Sequence, residues 1–210
     1  MEFSLSSEQE MLIESARAFA ENELYPHEAE VEKSDSVSPD LAQKIRERAI
    51  EMGFYAANMP EDLGGGGLDC VSLSLVEREL GRANFALQYL VGRPSNILQA
   101  CVGEQRDHYL FPCIRGEKTD CLAMTEPGAG SDLRSMQCRA DVDGDDYVIN
   151  GTKHFISHAD IADFVILFAA TGEEESARGP RKLISAFLVD KGTSGFSVRP
   201  GYHSVSHRGY

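Results

Sequence analysis

Apolar residues recur at helical spacing through the first half of the chain and at a spacing of two through the second. Ser7-Glu8-Gln9-Glu10 has the form of a capping box. Behind it, Leu12, Ala16, Phe19, Ala20 and Leu24 fall on one helical face, with acidic residues over much of the rest. The pattern predicts an amphipathic surface helix that ends near Pro26 or slightly beyond. Ser34 to Ser38 reads as a polar loop. Ser38-Pro39-Asp40 opens a second helix with Ser38 as N-cap and Pro39 in the first turn. Leu41, Ile45, Ala49 and Met52 line its face, and Gly53 ends it. After the glycine run Gly64 to Gly67, Asp69 caps a third helix to about Gly81, with Val71, Leu75 and Val76 inward. Residues 84–102 read as helix broken at Gly92 and Pro94, and Gly103 opens a short fifth helix through Ile114.

The texture changes after Gly116. Cys121 to Met124 is an apolar run that reads as a short buried strand, stopped by Pro127, which cannot donate to a ladder. Met136, Cys138, Ala140 and Val142 alternate with polar residues, Asp143-Gly144-Asp145 reads as a hairpin turn, and Tyr147 to Ile149 returns. Further strands are predicted at Lys153–Ser157, Phe164–Ala169, Leu183–Val189 and Gly195–Val198, with Thr171 to Arg181 as a polar, mobile loop. The fold class is α+β: an all-helical domain over 1–117, then an antiparallel β domain over 118–210. No parallel crossover and no dinucleotide fingerprint is expected.

At 42% hydrophobic residues the 210-residue chain has material for a packed core. A formal charge of −14 argues against nucleic acid or an anionic membrane as partner. It leaves room for a phosphorylated ligand, which local dipoles can hold. The five cysteines, Cys70, Cys101, Cys113, Cys121 and Cys138, form no C-x-x-C pair and read as reduced thiols of an intracellular protein. No secretory signal or spanning run is visible. These features predict a cytoplasmic protein, or one of the mitochondrial matrix if it is eukaryotic. His203 and His207 lack the partners of a metal set, and no metal is expected.

Candidate chemistry concentrates at Leu122-Ala123-Met124-Thr125-Glu126-Pro127-Gly128-Ala129-Gly130-Ser131-Asp132. Turn residues alone describe a surface bend. Gly128 and Gly130 permit positive φ and close backbone approach, and Thr125 and Ser131 add hydroxyls, so the bend also suits a polar cofactor. Glu126 reads as a brace for this loop in preference to a catalytic base. Strict alternation would point His154 away from the face used by Phe155 and Ser157.

The stretch Ala123 to Ser135 resembles the first signature of the acyl-CoA dehydrogenase family at every defined position. Met59 to Asp69, Gly103 to Gly116 and Tyr147 to Ala169 are similar to the same family, so the resemblance covers nearly the whole chain. It implies FAD as cofactor, held by Leu122, Met124, Thr125, Gly130 and Ser131 on the bend and by Phe155, Ile156 and Ser157 on a second segment. Many members carry Trp-Ile-Thr where this chain has Phe155-Ile156-Ser157. Thr125 would hydrogen-bond the flavin ring, Phe155 would cover one ring face, the Ser157 hydroxyl would approach N5, and Ser131 would lie beside the CoA thioester arm. The implied reaction is α,β-dehydrogenation of an acyl-CoA, with an electron-transfer flavoprotein or similar acceptor and a homo-oligomeric full-length protein. The family's second helical domain and its catalytic base fall beyond Tyr210. No catalytic residue is therefore expected in these 210 residues, which would be inactive alone. An acyl-CoA oxidase-like enzyme, or a short non-catalytic flavin-binding or assembly module, remain as alternatives.

Overall fold

The computed structural model describes residues 4–177, 179–199, 201, 208 and 209. Two compact units result: Met1–Lys118, with which Arg208 and Gly209 cluster, and Thr119–Gly201. His203 and His207 lie outside the described residues.

The first unit is helical. Helix α1 (Ser7–Phe19) starts one residue earlier than its sequence suggests, because Ser6 and not Ser7 caps it: Gln9 N donates to Ser6 Oγ and Ser6 N to Gln9 Oε1, both at 3.2 Å. The coil also runs on past Pro26. A wide π-turn (Ala20–Leu24) and a 3-10 turn (Tyr25–His27) lead into α2 (Glu28–Ser34), which ends at left-handed Asp35. Pro26 sits in the first turn of a new segment, where its missing N–H costs no helical bond. Helix α3 (Pro39–Glu51) is capped by Ser38 as predicted and buries Ile45 and Ala49. Met52, expected on the same face, lies at the C-cap and is exposed.

Asp69 caps α4 (Cys70–Leu80), accepting from Val71 N at 2.7 Å and Ser72 N at 3.0 Å. The buried stripe is Ser72, Val76, Glu79 and Leu80; Val71 faces solvent. Val76 is buried as expected, Leu75 is half-buried, and Ser72 takes the inward place expected of Val71, with its hydroxyl on Asp69 at 3.0 Å. The preceding glycine run is no flexible linker. Gly66 N donates to Ala56 O and Gly67 N to Met59 O, and a Cβ on Gly65 would lie 2.2 Å from Met59 O. Helix α5 (Phe85–Tyr89) ends with Leu90 as C-cap, the chain is non-helical through left-handed Gly92 and Pro94, and turns at Asn96–Ala100 and Arg106–Leu110 lead to α6 (Phe111–Ile114).

Helices α1 and α4 are joined by Glu79. Its buried carboxylate takes Arg17 Nε at 3.1 Å, Arg78 at 2.8 Å and Arg82 at 3.1 Å. The Arg17 bond outweighs burial, Arg78 and Arg82 add to it, and the carboxyl is brought down to about 2.

The second unit is one sheet. Strand β1 (Asp120–Ala123) lies beside β4 (Phe164–Ser176), which pairs on its other side with β5 (Gly179–Asp190); β2 (Arg139–Asp143) and β3 (Asp146–Asn150) form a hairpin that meets β4 at Ala170. The α+β class and the helices-then-sheet order hold. The expectation of a purely antiparallel sheet does not, because β1 runs parallel to β4 over Asp120–Ala123. Alternation reports which face a residue takes and says nothing of strand direction. Direction is set by the long connection over 124–163, which returns the chain to the same end of the sheet.

Thr171 to Arg181, expected as a loop, extends the β4–β5 pairing out to Ser176 opposite Gly179. Glu174 pairs with Arg181 across it, and Glu173 stands opposite Lys182. Opposite-charge cross-strand pairs support a ribbon with no apolar face, so polar composition hid a strand. Gly195–Val198 is not a strand: the chain turns there, with Phe196 N donating to Thr193 O. Cys121, Ala123, Met136, Cys138, Ala140, Val165, Leu167 and Ala169 fill the core, while Val142 at the hairpin end is exposed.

Replacing Glu79 by Gln leaves arginine donors around a neutral amide and is expected to cost the helical unit about 2 kcal/mol, the scale of hydrogen bonds to a charged group. Because the folded carboxyl titrates at about 2 and an ordinary glutamate near 4.5, this stabilisation is complete above 4.5 and is lost as pH falls towards 2. Urea unfolding followed by helical circular dichroism across that range checks both; a Glu79→Gln chain with wild-type stability at pH 7 would refute them.

Candidate active site

The site grows from the end of β1. Ala123 is the last buried ladder residue; Met124 and Thr125 follow half-buried, and the chain then folds back on itself. Glu126 N donates to Ala129 O at 2.9 Å and Ala129 N to Glu126 O at 3.2 Å, closing a turn around Pro127 and Gly128. Gly128 and Gly130 do not take positive φ. Each borders open space instead, with nothing within 4 Å of where a Cβ would stand, so their use is bare backbone. Asp132 serves its own loop: it accepts from Arg134 N at 3.1 Å and Ser135 Oγ at 2.5 Å, and the Ser135 hydroxyl in particular lowers its carboxyl below the usual range.

The second candidate segment does not form the strand expected over Lys153–Ser157. Phe155 (φ 56°) and His158 (φ 61°) are left-handed, which breaks a pleat. The chain reaches this point from Gly151, whose absent Cβ would lie 2.6 Å from Cys138 Cβ and Sγ. His154 therefore does not point away from Phe155. The two rings stack, 4.0 Å between centroids and 16° between planes.

The two segments are joined directly. His154 N donates to Thr125 O at 2.9 Å, and Lys153 Nζ donates to Met124 O at 3.0 Å and to Glu126 Oε1 at 2.9 Å. Glu126 further accepts Gln137 N at 2.6 Å and Cys138 N at 2.9 Å. The side chains of Glu126 and Lys153 are 3% and 7% exposed, so the pair is truly interior. Burial would raise the Glu126 carboxyl, but the Gln137 amide, the Lys153 ammonium and the Cys138 amide together bring it below its ordinary value. A fully engaged, low-pKa carboxylate is a brace and not a base. Lys153 carried no signal in the hydrophobic pattern. The clue was Glu126 itself, since a carboxylate buried behind an apolar strand demands a cation.

Of the predicted site residues, Leu122 (41%) and Phe155 (68%) are exposed apolar groups, and Gly130, Ser131 and Ser157 are exposed polar positions. Ile156 packs against the sheet core. A flat heteroaromatic ligand with a polar extension fits this mixture. The nearby thiols offer no chemistry: burial pushes Cys121 up to about 12 and raises Cys138 as well. His158 is held down, at about 4, by burial.

Residues 6–117 match the model of the acyl-CoA dehydrogenase N-terminal domain, and residues 121–210 that of the acyl-CoA dehydrogenase middle domain. The chain is 38% identical over 205 residues to the mitochondrial long-chain specific acyl-CoA dehydrogenase of Sus scrofa, covering 95% of this chain and 46% of that protein. It is 33% identical over 205 residues to the caffeyl-CoA reductase-Etf complex subunit CarC of Acetobacterium woodii, covering 95% and 52%. The crystal structure of a glutaryl-CoA dehydrogenase from Mycobacterium smegmatis in complex with FADH2 superposes with a TM-score of 0.79 at 25% identity, covering 96% of this chain and 50% of that one. The chain thus spans about half the length of the curated relatives it matches.

His158 gives a test of the site's burial. An unfolded histidine takes up its proton near 6.5 and the folded one only near 4, so the unfolded chain gains protons first as pH falls. Stability of the sheet unit is expected to be full above about 6.5 and to decline towards 4. His158→Asn, which tolerates the left-handed backbone, is expected to flatten that slope in thermal melts; an unchanged slope would assign it to another group.

Proposed function

This chain belongs to the acyl-CoA dehydrogenase family of FAD-dependent oxidoreductases, and from that premise we propose that Thr119–Gly201 carries the flavin-facing half of an acyl-CoA dehydrogenase site. The observation that supports it most is the junction of Met124–Thr125 with Lys153–Phe155, which presents an exposed aromatic beside a glycine-edged bend. When bound, FAD supplies the redox chemistry, accepting the substrate's β-hydrogen as hydride. The chain's own residues bind and orient. Phe155 covers one face of the flavin ring, Leu122 gives apolar contact, and Thr125 hydrogen-bonds the ring. Gly130 offers bare backbone to the cofactor, with Met124 and Ile156 lining the same surface. The Ser157 hydroxyl would serve the redox edge of the flavin, and the Ser131 hydroxyl would hold the arm of the acyl-CoA thioester. An electron-transfer flavoprotein is the proposed acceptor, the same class of partner that the name of the Acetobacterium woodii relative carries.

Neither carboxylate of the bend is free to remove a substrate α-proton. Glu126 is spent on Lys153, Gln137 and Cys138, and Asp132 on Ser135 and Arg134. In keeping with the family resemblance, the 210 residues are expected to bind flavin without oxidising an acyl-CoA. Sizing chromatography with visible spectra and an artificial-acceptor assay tests this: a co-eluting flavin band without turnover supports it, and a chain that remains colourless with added FAD refutes it. Phe155→Ala and Thr125→Val are each expected to weaken FAD binding by about tenfold, the worth of one good contact. Phe155 is mostly exposed, so its removal should leave the melting temperature nearly unchanged.

A further inference from the structure

We infer that Lys153 is a positioning residue that locks the two flavin-facing segments to one another, so that the cofactor surface is assembled before the cofactor arrives; this rests on the flavin reading above. Its ammonium donates to Met124 O on one segment and to Glu126 Oε1 just after it, while the next residue, His154, donates its amide to Thr125 O. The lysine and its neighbour thus grip three consecutive residues of the bend. Glu126 carries the lock to a third strand of chain through the amides of Gln137 and Cys138. Phe155 follows directly, in a left-handed conformation that an L-residue holds only when its flanks are fixed.

Stability alone does not account for this arrangement. A buried ion pair is often matched or bettered by apolar residues of the same volume, and its best-attested use is to select one register. The sheet core already packs through Met136, Cys138, Ala140, Val165 and Leu167. The pair touches the ends of those elements, where the proposed flavin contacts sit. Its two charges cancel, so it organises the surface without adding net charge to it.

The test uses the full 210-residue chain as wild type, Lys153→Met and Lys153→Gln, with amide hydrogen exchange on the apoprotein and FAD titration followed by visible circular dichroism. In Lys153→Met, the amides of His154, Gln137 and Cys138 are expected to exchange about tenfold faster while the paired amides of β4 and β5 keep their protection. FAD affinity is expected to fall by about tenfold or more, with an altered dichroism band for what does bind. Lys153→Gln, which keeps a neutral donor of similar reach, should lie between. Unchanged exchange at His154, or wild-type affinity and dichroism in Lys153→Met, overturns the inference. Loss of β4–β5 protection in both variants also overturns it, because the lysine would then hold the sheet and not the site. A wild-type chain that takes up no FAD overturns the functional reading instead, and the exchange result still decides the lock by itself.

Discussion

A carboxylate buried behind an apolar strand must be answered, and in this chain the answer to Glu126 arranges everything around it. Leaving such a charge unpaired typically costs about 3–5 kcal/mol. Two backbone amides and one interior ammonium meet the need, at 2.6–2.9 Å. Those donors come from two stretches, 137–138 and 153, and meet on a third at Glu126, so satisfying one side chain joins the bend, the entry into β2 and the irregular segment that presents Phe155. The sheet supplies a platform, and this polar junction determines what stands on it.

The helical unit solves a similar problem differently. Glu79 is as buried as Glu126, but its three arginine partners, Arg17, Arg78 and Arg82, are about half exposed. Two of them lie on or just after α4 itself, and only Arg17 reaches across to α1. That cluster therefore ties one helix pair together and lets its positive ends meet water. The Glu126–Lys153 pair is dry at both ends. Dry pairs define a geometry more sharply, because neither partner can trade its bond for a solvent one.

The chemical temper of the site follows from these environments. Cys121 and Cys138 are buried thiols pushed away from the thiolate, His158 is held neutral at physiological pH, and Asp132 and Glu126 are both occupied by donors. What remains towards solvent is an aromatic ring, an aliphatic side chain, hydroxyls and bare backbone. Such a surface orients a ligand and tunes it, while the electron chemistry belongs to the cofactor.

Periodicity and capping chemistry, which are local, were readable from the chain alone. They include the helical first half, the Ser38 and Asp69 caps, the breaks at Gly92 and Pro94, the Asp143–Asp146 hairpin, and the signature bend whose residue order marks the family. Non-local pairing was not readable. That β1 runs parallel to β4 depends on where a long connection returns. That Thr171–Arg181 is ribbon depends on charges meeting across a turn. That residues 153–157 leave the pleat depends on Lys153 finding Glu126 across the intervening sequence. A sequence states what each residue prefers among its neighbours. Which distant residue will neutralise a buried charge is settled only when the chain closes on itself, because the cost of burial does not exist until then.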